Sequence, residues 1–373
     1  MPFGRIGVIG AGTMGSGIAT NIAGHGFYVQ QVDISSETLY RAQRAAERFY
    51  ARNVETQRMD LSASEAALAR LSYSKDFQTL ADCDLVIEAI FERMDVKMQL
   101  YDMVIPILKD EVILGTNTSC LRVSTLAKAV AKPQNFIGIH YFNPPTISPI
   151  VEVVKGAKTA PEVVDSIVEF CNQTNKKPVL CKDSNGFALN RFFCPYANEA
   201  ARLFDEEAGS PAEIDRVASD VLGAAAGPFV VMNLVGMQVM SHAQNNLAQL
   251  GPFYSLAKSV EEKGLSGEIW LIDELKSAPE PERDSVISDR LLGATFLPIL
   301  QALDEEVASP ADIDMGAQLA LKFGKPPCIL MDRLGTLEVE RILKPFAEKY
   351  DTAMPVSLSK IGELTKSNSA YIL

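Results

Sequence analysis

Gly10-Ala11-Gly12-Thr13-Met14-Gly15 follows directly on the apolar run Arg5–Ile9, and this spacing at a strand-to-helix turn constrains the fold more than any other feature of the chain. In such a turn the first glycine permits the tight bend, the second lets the backbone approach a bound group, and the third lets the helix pack closely on the strand. The helix then aims its unbonded N–H groups at that place, which makes it an anion site. The expected consequence is a parallel sheet built from βαβ units. Short β-branched runs at Arg5–Ile9, Tyr28–Val32, Leu85–Ala89, Val112–Leu114, Phe136–His140, Val151–Val154 and Lys177–Leu180 alternate with helical patterns, as that fold requires. Between the second and third, Glu37 to Arg70 is rich in Ala, Arg and Glu and reads as one or two exposed helices.

The β-type runs stop at the turn-rich segment Lys182-Asp183-Ser184-Asn185-Gly186, and Ala/Leu-rich helical periodicity takes over. This half repeats itself at a constant offset of 99 residues: Asp205-Glu206-Glu207 recurs as Asp304-Glu305-Glu306, and Ser210-Pro211-Ala212-Glu213-Ile214-Asp215 as Ser309-Pro310-Ala311-Asp312-Ile313-Asp314. Arg191, Leu222, Pro228, Met232 and Gly236 find their own types at Arg290, Leu321, Pro327, Met331 and Gly335. Ser-Pro is good helix-start chemistry anywhere, but one register held over this length points to a duplicated helical unit. The expected organisation is an α/β domain over 1–183, a first helical unit over 184–282, and a second over 283–373 whose end, 357–373, reads as a polar tail.

Composition narrows the function. With 35 Lys plus Arg against 47 Asp plus Glu, the formal charge of -12 disfavours nucleic acid as a partner. The six cysteines form no C-x-x-C pair and no Cys/His cluster at ligand spacing, so neither a metal site nor a disulfide framework is expected. No secretory leader, peroxisomal C-terminal signal or run of about 18 apolar residues is visible, and the expected setting is the cytoplasm, with no membrane partner.

Asp33 closes the second strand about twenty residues beyond the glycine turn, where an acidic side chain accepts hydrogen bonds from a ribose 2′-OH and repels a 2′-phosphate. This favours NAD as cofactor, held by Gly10, Ala11, Gly12, Thr13, Met14, Gly15 and Asp33. Of only three histidines, His140 ends an apolar strand and precedes the turn Tyr141-Phe142-Asn143-Pro144, at the edge where open α/β sheets bind ligands. Glu152 interrupts the apolar run Ile150–Val154, where a carboxylate is costly unless paired, and an imidazole is a natural partner.

Together these segments resemble the L-3-hydroxyacyl-CoA dehydrogenase family over nearly the whole chain. The residues that carry the likeness are Gly10–Ala19, Val86-Ile87-Glu88-Ala89, Asn117-Thr118-Ser119, Gly138–Pro144, Val151-Glu152-Val153 and Asp183–Arg191. The resemblance implies a Rossmann-type domain followed by an all-α domain, here in the duplicated form of the multifunctional β-oxidation proteins. It further implies that His140 is the general base with Glu152 as its partner, and that Ser119 and Asn190 contact the reacting part of an acyl-CoA substrate. Glu92, Lys97, Asn117, Ser119 and Asn143 fall on its cofactor positions. The chain departs from the family in three places: Arg44, Arg48, Arg52 and Arg58 stand in the arm where lysines are usual, Asn233 replaces a signature Asp that Asp332 retains in the second unit, and Leu265–Trp270 replaces the usual tail of single-unit members. The arm leaves open a dehydrogenase of a free 3-hydroxy acid or sugar acid, and beyond that a non-catalytic nucleotide-binding relative. The duplication implies either a monomer whose helical units pack as a pseudo-dimer or a homodimer.

Overall fold

In a computed structural model, residues 3–272 and 279–366 are described; the expected end of the tail, 367–373, lies outside them. The chain forms two compact units, Met1–Asp183 and Ser184–Leu373.

The first unit is built on an eight-stranded sheet in the order β3-β2-β1-β4-β5-β6-β7-β8. The strands are β1 (Arg5–Ile9), β2 (Tyr28–Val32), β3 (Leu71–Ser74), β4 (Leu85–Glu88), β5 (Ile113–Thr116), β6 (Phe136–Tyr141), β7 (Ile150–Lys155) and β8 (Lys177–Lys182). All neighbours pair in parallel except β6 and β7. Strand order reverses between β1 and β4, the place where open sheets leave a crevice at their carboxyl ends. Helices α1 (Thr13–Gly24), α2 (Ser36–Glu55), α3 (Leu61–Ala69), α4 (Met94–Val104), the short α5 (Val123–Leu126) and α6 (Pro161–Gln173) connect the strands. The arm thus resolves into two helices, α2 and α3, and β3 is a strand the expected set lacks. Ile6, Val8, Ile18, Ile22, Leu85, Ile87, Ile137 and Ile139 are fully buried, which fixes which faces of α1 and the central strands turn inward.

The second unit contains α7 (Asn190–Asp205), α8 (Pro211–Leu222), α9 (Pro228–Val235), α10 (Met237–Leu247) and α11 (Lys258–Ser266), then α12 (Pro281–Asp304), α13 (Pro310–Leu319), α14 (Pro327–Leu334) and α15 (Thr336–Tyr350). Helices α7 to α10 match α12 to α15 at the 99-residue offset seen in the sequence. Ser210 and Ser309 cap α8 and α13 in the same way, each side-chain oxygen accepting from the N–H three residues on. Asp215 accepts from the N–H groups of Phe229 and Val230 at 2.8 and 3.1 Å, and Asp314 from Cys328 and Ile329 at 2.7 and 3.1 Å. The two copies also contact each other reciprocally. Arg191 pairs with Glu305 while Arg290 pairs with Glu206, and the Ala225 N–H donates to Lys322 while the Gly324 N–H donates to Gly223. Residue i meeting j′ while i′ meets j is the contact pattern of a two-fold axis, realised here within one chain.

Two expectations are corrected in this unit. Helix α12 is long and apolar enough to cross a membrane by length and composition, but 67% of that stretch is buried among its neighbours, as suits the core helix of a bundle. Residues 357–366 are not a loose polar tail: Ser357, Ile361 and Leu364 are buried, and Asp332 accepts from the N–H groups of Gly362, Leu364 and Thr365 and from the Thr365 hydroxyl. The sequence window hides this because the anchor lies some thirty residues earlier. At the matching position Asn233 clamps Trp270, donating to its carbonyl at 2.9 Å and accepting its N–H at 2.8 Å. The amide therefore does the work of the missing Asp, with Trp270 seated against Phe229.

Candidate active site

The glycine turn adopts the geometry its spacing predicts. Gly10 has φ +103, and a Cβ there would lie 2.4 Å from the Ala89 carbonyl oxygen; one on Gly15 would lie 2.1 Å from that of Gly10. Beside Gly12 the space is open, with no atom within 4 Å of an added Cβ. Gly12 is also the N-cap of α1 and contributes no side-chain cap, so no cap side chain competes with a ligand for the first N–H groups of the helix. Asp33 ends β2 and accepts from the Ala11 N–H at 2.8 Å and from the Ser35 N–H at 2.8 Å. It therefore braces the turn with one oxygen and the start of α2 with the other, and each oxygen keeps a lone pair for a ribose hydroxyl. An open cradle over a helix N-terminus, with a carboxylate at the next strand end, fits a dinucleotide with a free 2′-OH.

His140 and Glu152 are brought together by strand pairing. They are directly opposite in the antiparallel β6–β7 register, and His140 Nδ1 lies 2.6 Å from Glu152 Oε2. Glu152 is fully buried and His140 is 5% exposed. The neighbouring Phe142 ring stands 4.6 Å from the imidazole. A twelve-residue separation in sequence thus becomes a single rung of the ladder.

Ser119 lies in the turn after β5, and Glu92 organises that turn. One Glu92 oxygen accepts from the Thr118 hydroxyl at 2.6 Å, the Ser119 N–H at 2.7 Å and the Cys120 N–H at 3.0 Å. Burial pushes the Glu92 carboxyl upward, but the Lys97 ammonium and these donors outweigh it and hold the group below the ordinary carboxylate range. Lys97 is itself fully buried between Glu88 at 2.5 Å and Glu92 at 3.5 Å. Glu88 also accepts from Tyr101, Thr116 and the Ile90 N–H, a cluster that sequence reasoning missed although Glu88 and Tyr101 bracket Lys97 at helical and strand-end spacing. Asn117 is used structurally as well, its Oδ1 accepting the Tyr141 N–H at 2.8 Å and so tying β5 to β6. Asn143 stands in the connection after β6, joined to Pro144 by a cis peptide bond. Asn190 opens α7 in the second unit. Among the described residues no group of His, Cys, Asp and Glu could hold a metal ion, and all six cysteines are buried.

A doubly wound sheet with a dinucleotide cradle and a buried His–Glu pair at its carboxyl edge, followed by a helical unit, is the architecture of a nicotinamide-dependent oxidoreductase. The family model for the 3-hydroxyacyl-CoA dehydrogenase NAD-binding domain matches residues 5–184, and that for the C-terminal domain matches 186–268. The chain is 36% identical over 233 residues to a probable 3-hydroxybutyryl-CoA dehydrogenase of Deinococcus radiodurans, covering 62% of this chain and 84% of that one. It is 37% identical over 234 residues to the 3-hydroxyadipyl-CoA dehydrogenase of Escherichia coli, covering 63% of this chain but spanning only about half of that relative's length (49%). Its fold matches a crystal structure of a 3-hydroxybutyryl-CoA dehydrogenase from Escherichia coli with a TM-score of 0.86, at 24% identity over 98% of this chain and 99% of the other. The chain belongs to the NAD-dependent 3-hydroxyacyl-CoA dehydrogenase family.

Proposed function

We propose that the protein oxidises (S)-3-hydroxyacyl-CoA thioesters to 3-ketoacyl-CoA, reversibly, in fatty-acid β-oxidation or a related acyl-CoA route in the cytoplasm. The observation that carries this reading is the His140–Glu152 pair, 2.6 Å apart and buried at the carboxyl edge of the sheet. NAD, when bound, accepts the hydride from the carbinol carbon. The hydroxyl proton must leave at the same time, and His140 takes it through Nε2, because Nδ1 is committed to Glu152. Glu152 fixes the ring's orientation and offsets the positive charge that the ring gains. In the reverse direction the same nitrogen protonates the ketone oxygen. Ser119, on the turn held by Glu92, and Asn190 hydrogen-bond the reacting oxygen and keep it in line. Gly10 to Gly15 and Asp33 hold the pyrophosphate and adenosine ribose, and Glu92, Lys97, Asn117, Ser119 and Asn143 serve the cofactor's other end. Lys97, having no exposed surface, acts there by fixing Glu92. With its duplicated helical unit paired internally, the chain acts as a monomer.

One observation favours the free-acid reading. In the arm, Arg41 and Arg44 lie close to Glu37 and Glu47 of the same helix, which lessens their availability to CoA phosphates. The deciding experiment is the NADH-linked reduction of acetoacetyl-CoA against free acetoacetate, with His140→Gln as control. Turnover of the thioester that falls about 10³-fold in the variant is expected; turnover of the free acid alone would move the protein to the second reading, and turnover of neither would remove the catalytic assignment.

A further inference from the structure

Lys176, in the turn between α6 and β8, is 3% exposed, yet among the described residues no carboxylate lies within ion-pairing distance of it. A buried cation without a counter-charge is costly, and a methionine would fill the same space without that cost. What the ammonium does make are two short hydrogen bonds, donating to the carbonyl of Pro145 at 2.6 Å and of Ser148 at 2.7 Å. Both belong to the 142–149 connection between β6 and β7, which contains no ionisable side chain of its own. This connection leaves β6 just after His140, carries Asn143, and returns two residues before Glu152. Its other side rests on α1: a Cβ on Gly17 would come within 3.0 to 3.3 Å of the Pro145 ring. The segment is thus gripped between the helix that opens at the cofactor cradle and one charged side chain.

We propose that Lys176 is a positioning residue for cofactor binding, fixing the 142–149 connection against α1 so that Asn143 is presented to the cofactor. The inference rests on the reading of Asn143 as a cofactor contact. The grip depends on charge, because hydrogen bonds from a cation are about twice as strong as those from a neutral amine. Burial pushes the Lys176 pKa down to about 8, so that charge is present at pH 7 and is lost as pH rises through 8. The thiol that acts on it, Cys171 on α6, is pushed up by burial to about 12, and Tyr141 on β6 is pushed up in the same way, so both stay neutral over this range. The other ionisable groups on the elements around it are the exposed Glu162, Asp165 and Glu169 on α6, His25 at the C-cap of α1, the His140–Glu152 pair, and the exposed Lys155, Lys177 and Lys182. All are retained in Lys176→Arg, so its comparison with wild type isolates Lys176.

The test measures NADH affinity by fluorescence titration and, without cofactor, hydrogen exchange at the Ile147 and Ser148 amides, which both donate to the Pro144 carbonyl. Lys176→Met is expected to weaken NADH binding about tenfold and speed exchange at those amides about tenfold. Lys176→Arg should stay within threefold of wild type in both. In the unaltered protein, NADH affinity should fall as pH rises from 7.5 to 9, and in Lys176→Arg it should not. Asn143→Ala run in parallel separates the two ideas. If it leaves NADH affinity unchanged while Lys176→Met weakens it, Asn143 is not the presented group, but Lys176 still positions the connection. If Asn143→Ala weakens binding and Lys176→Met does not, the Lys176 inference is overturned. Should Lys176→Met fail to fold, identical pH profiles for wild type and Lys176→Arg would overturn it as well.

Discussion

A carboxylate with no exposed surface in the middle of an apolar strand is tolerated at Glu152 because the strand opposite supplies an imidazole at hydrogen-bond distance. That pairing commits Nδ1 of His140 to Glu152, and in the proposed reaction it is Nε2 that would move the proton. Replacing the carboxylate by an amide keeps the shape but removes the charge and allows the wrong tautomer. Glu152→Gln is therefore expected to lower kcat about 10²-fold with little change in KM for acyl-CoA, read by steady-state kinetics. Both members of the pair were legible in the sequence, one as a histidine at a strand end and the other as a charge inside an apolar run. Their contact was not, because register between neighbouring strands is set by the turn and the pleat rather than by spacing along the chain. The cluster around Glu88 escaped notice for a similar reason, since the partners Lys97, Tyr101 and Thr116 come from a helix and a neighbouring strand.

At the scale of elements, two aspartates do the same work twice. Asp215 and Asp314 each hold the first turn of the following helix by two backbone N–H groups, and burial pushes both carboxyls up to about 6 against those donors. A folded-state pKa above the unfolded one means that the stabilising contribution is fully present below about pH 4 and fades as pH rises through 6. Asp314→Asn does not titrate, so its stability relative to wild type should improve by about 2 kcal/mol between pH 4 and 7, on top of a constant loss; urea unfolding at both values checks this. Asp332→Ala should cost about 2 kcal/mol at pH 7 by releasing the 362–365 backbone, measured in the same way. The sequence reading found the strands with strong β-branched character but passed over β3, whose Leu71-Ser72-Tyr73-Ser74 is short and only half-buried. The alternation of apolar and polar residues there is the signal that identifies it.

Over the whole molecule the decisive feature is the pairing of two helical copies inside one chain. If the reciprocal contacts make this pair self-sufficient, as the proposed monomer requires, sedimentation velocity should give a single species near the 40.6 kDa of one chain, and a dimer at micromolar concentration would count against it. The repeat was readable because its offset never changes; the axis was not, since an offset says that two pieces are alike and nothing about how they face each other. Fusion also changes what a mutation means. In an assembly of identical subunits every substitution is made on both sides of the axis, and each contact must improve or fail in duplicate. Here Asn233 faces Trp270 while its counterpart Asp332 holds the 362–365 backbone, and each arrangement was free to change without the other. Covalent linkage releases the two sides from compulsory symmetry, so that a residue on one can be altered while its counterpart on the other stays as it is.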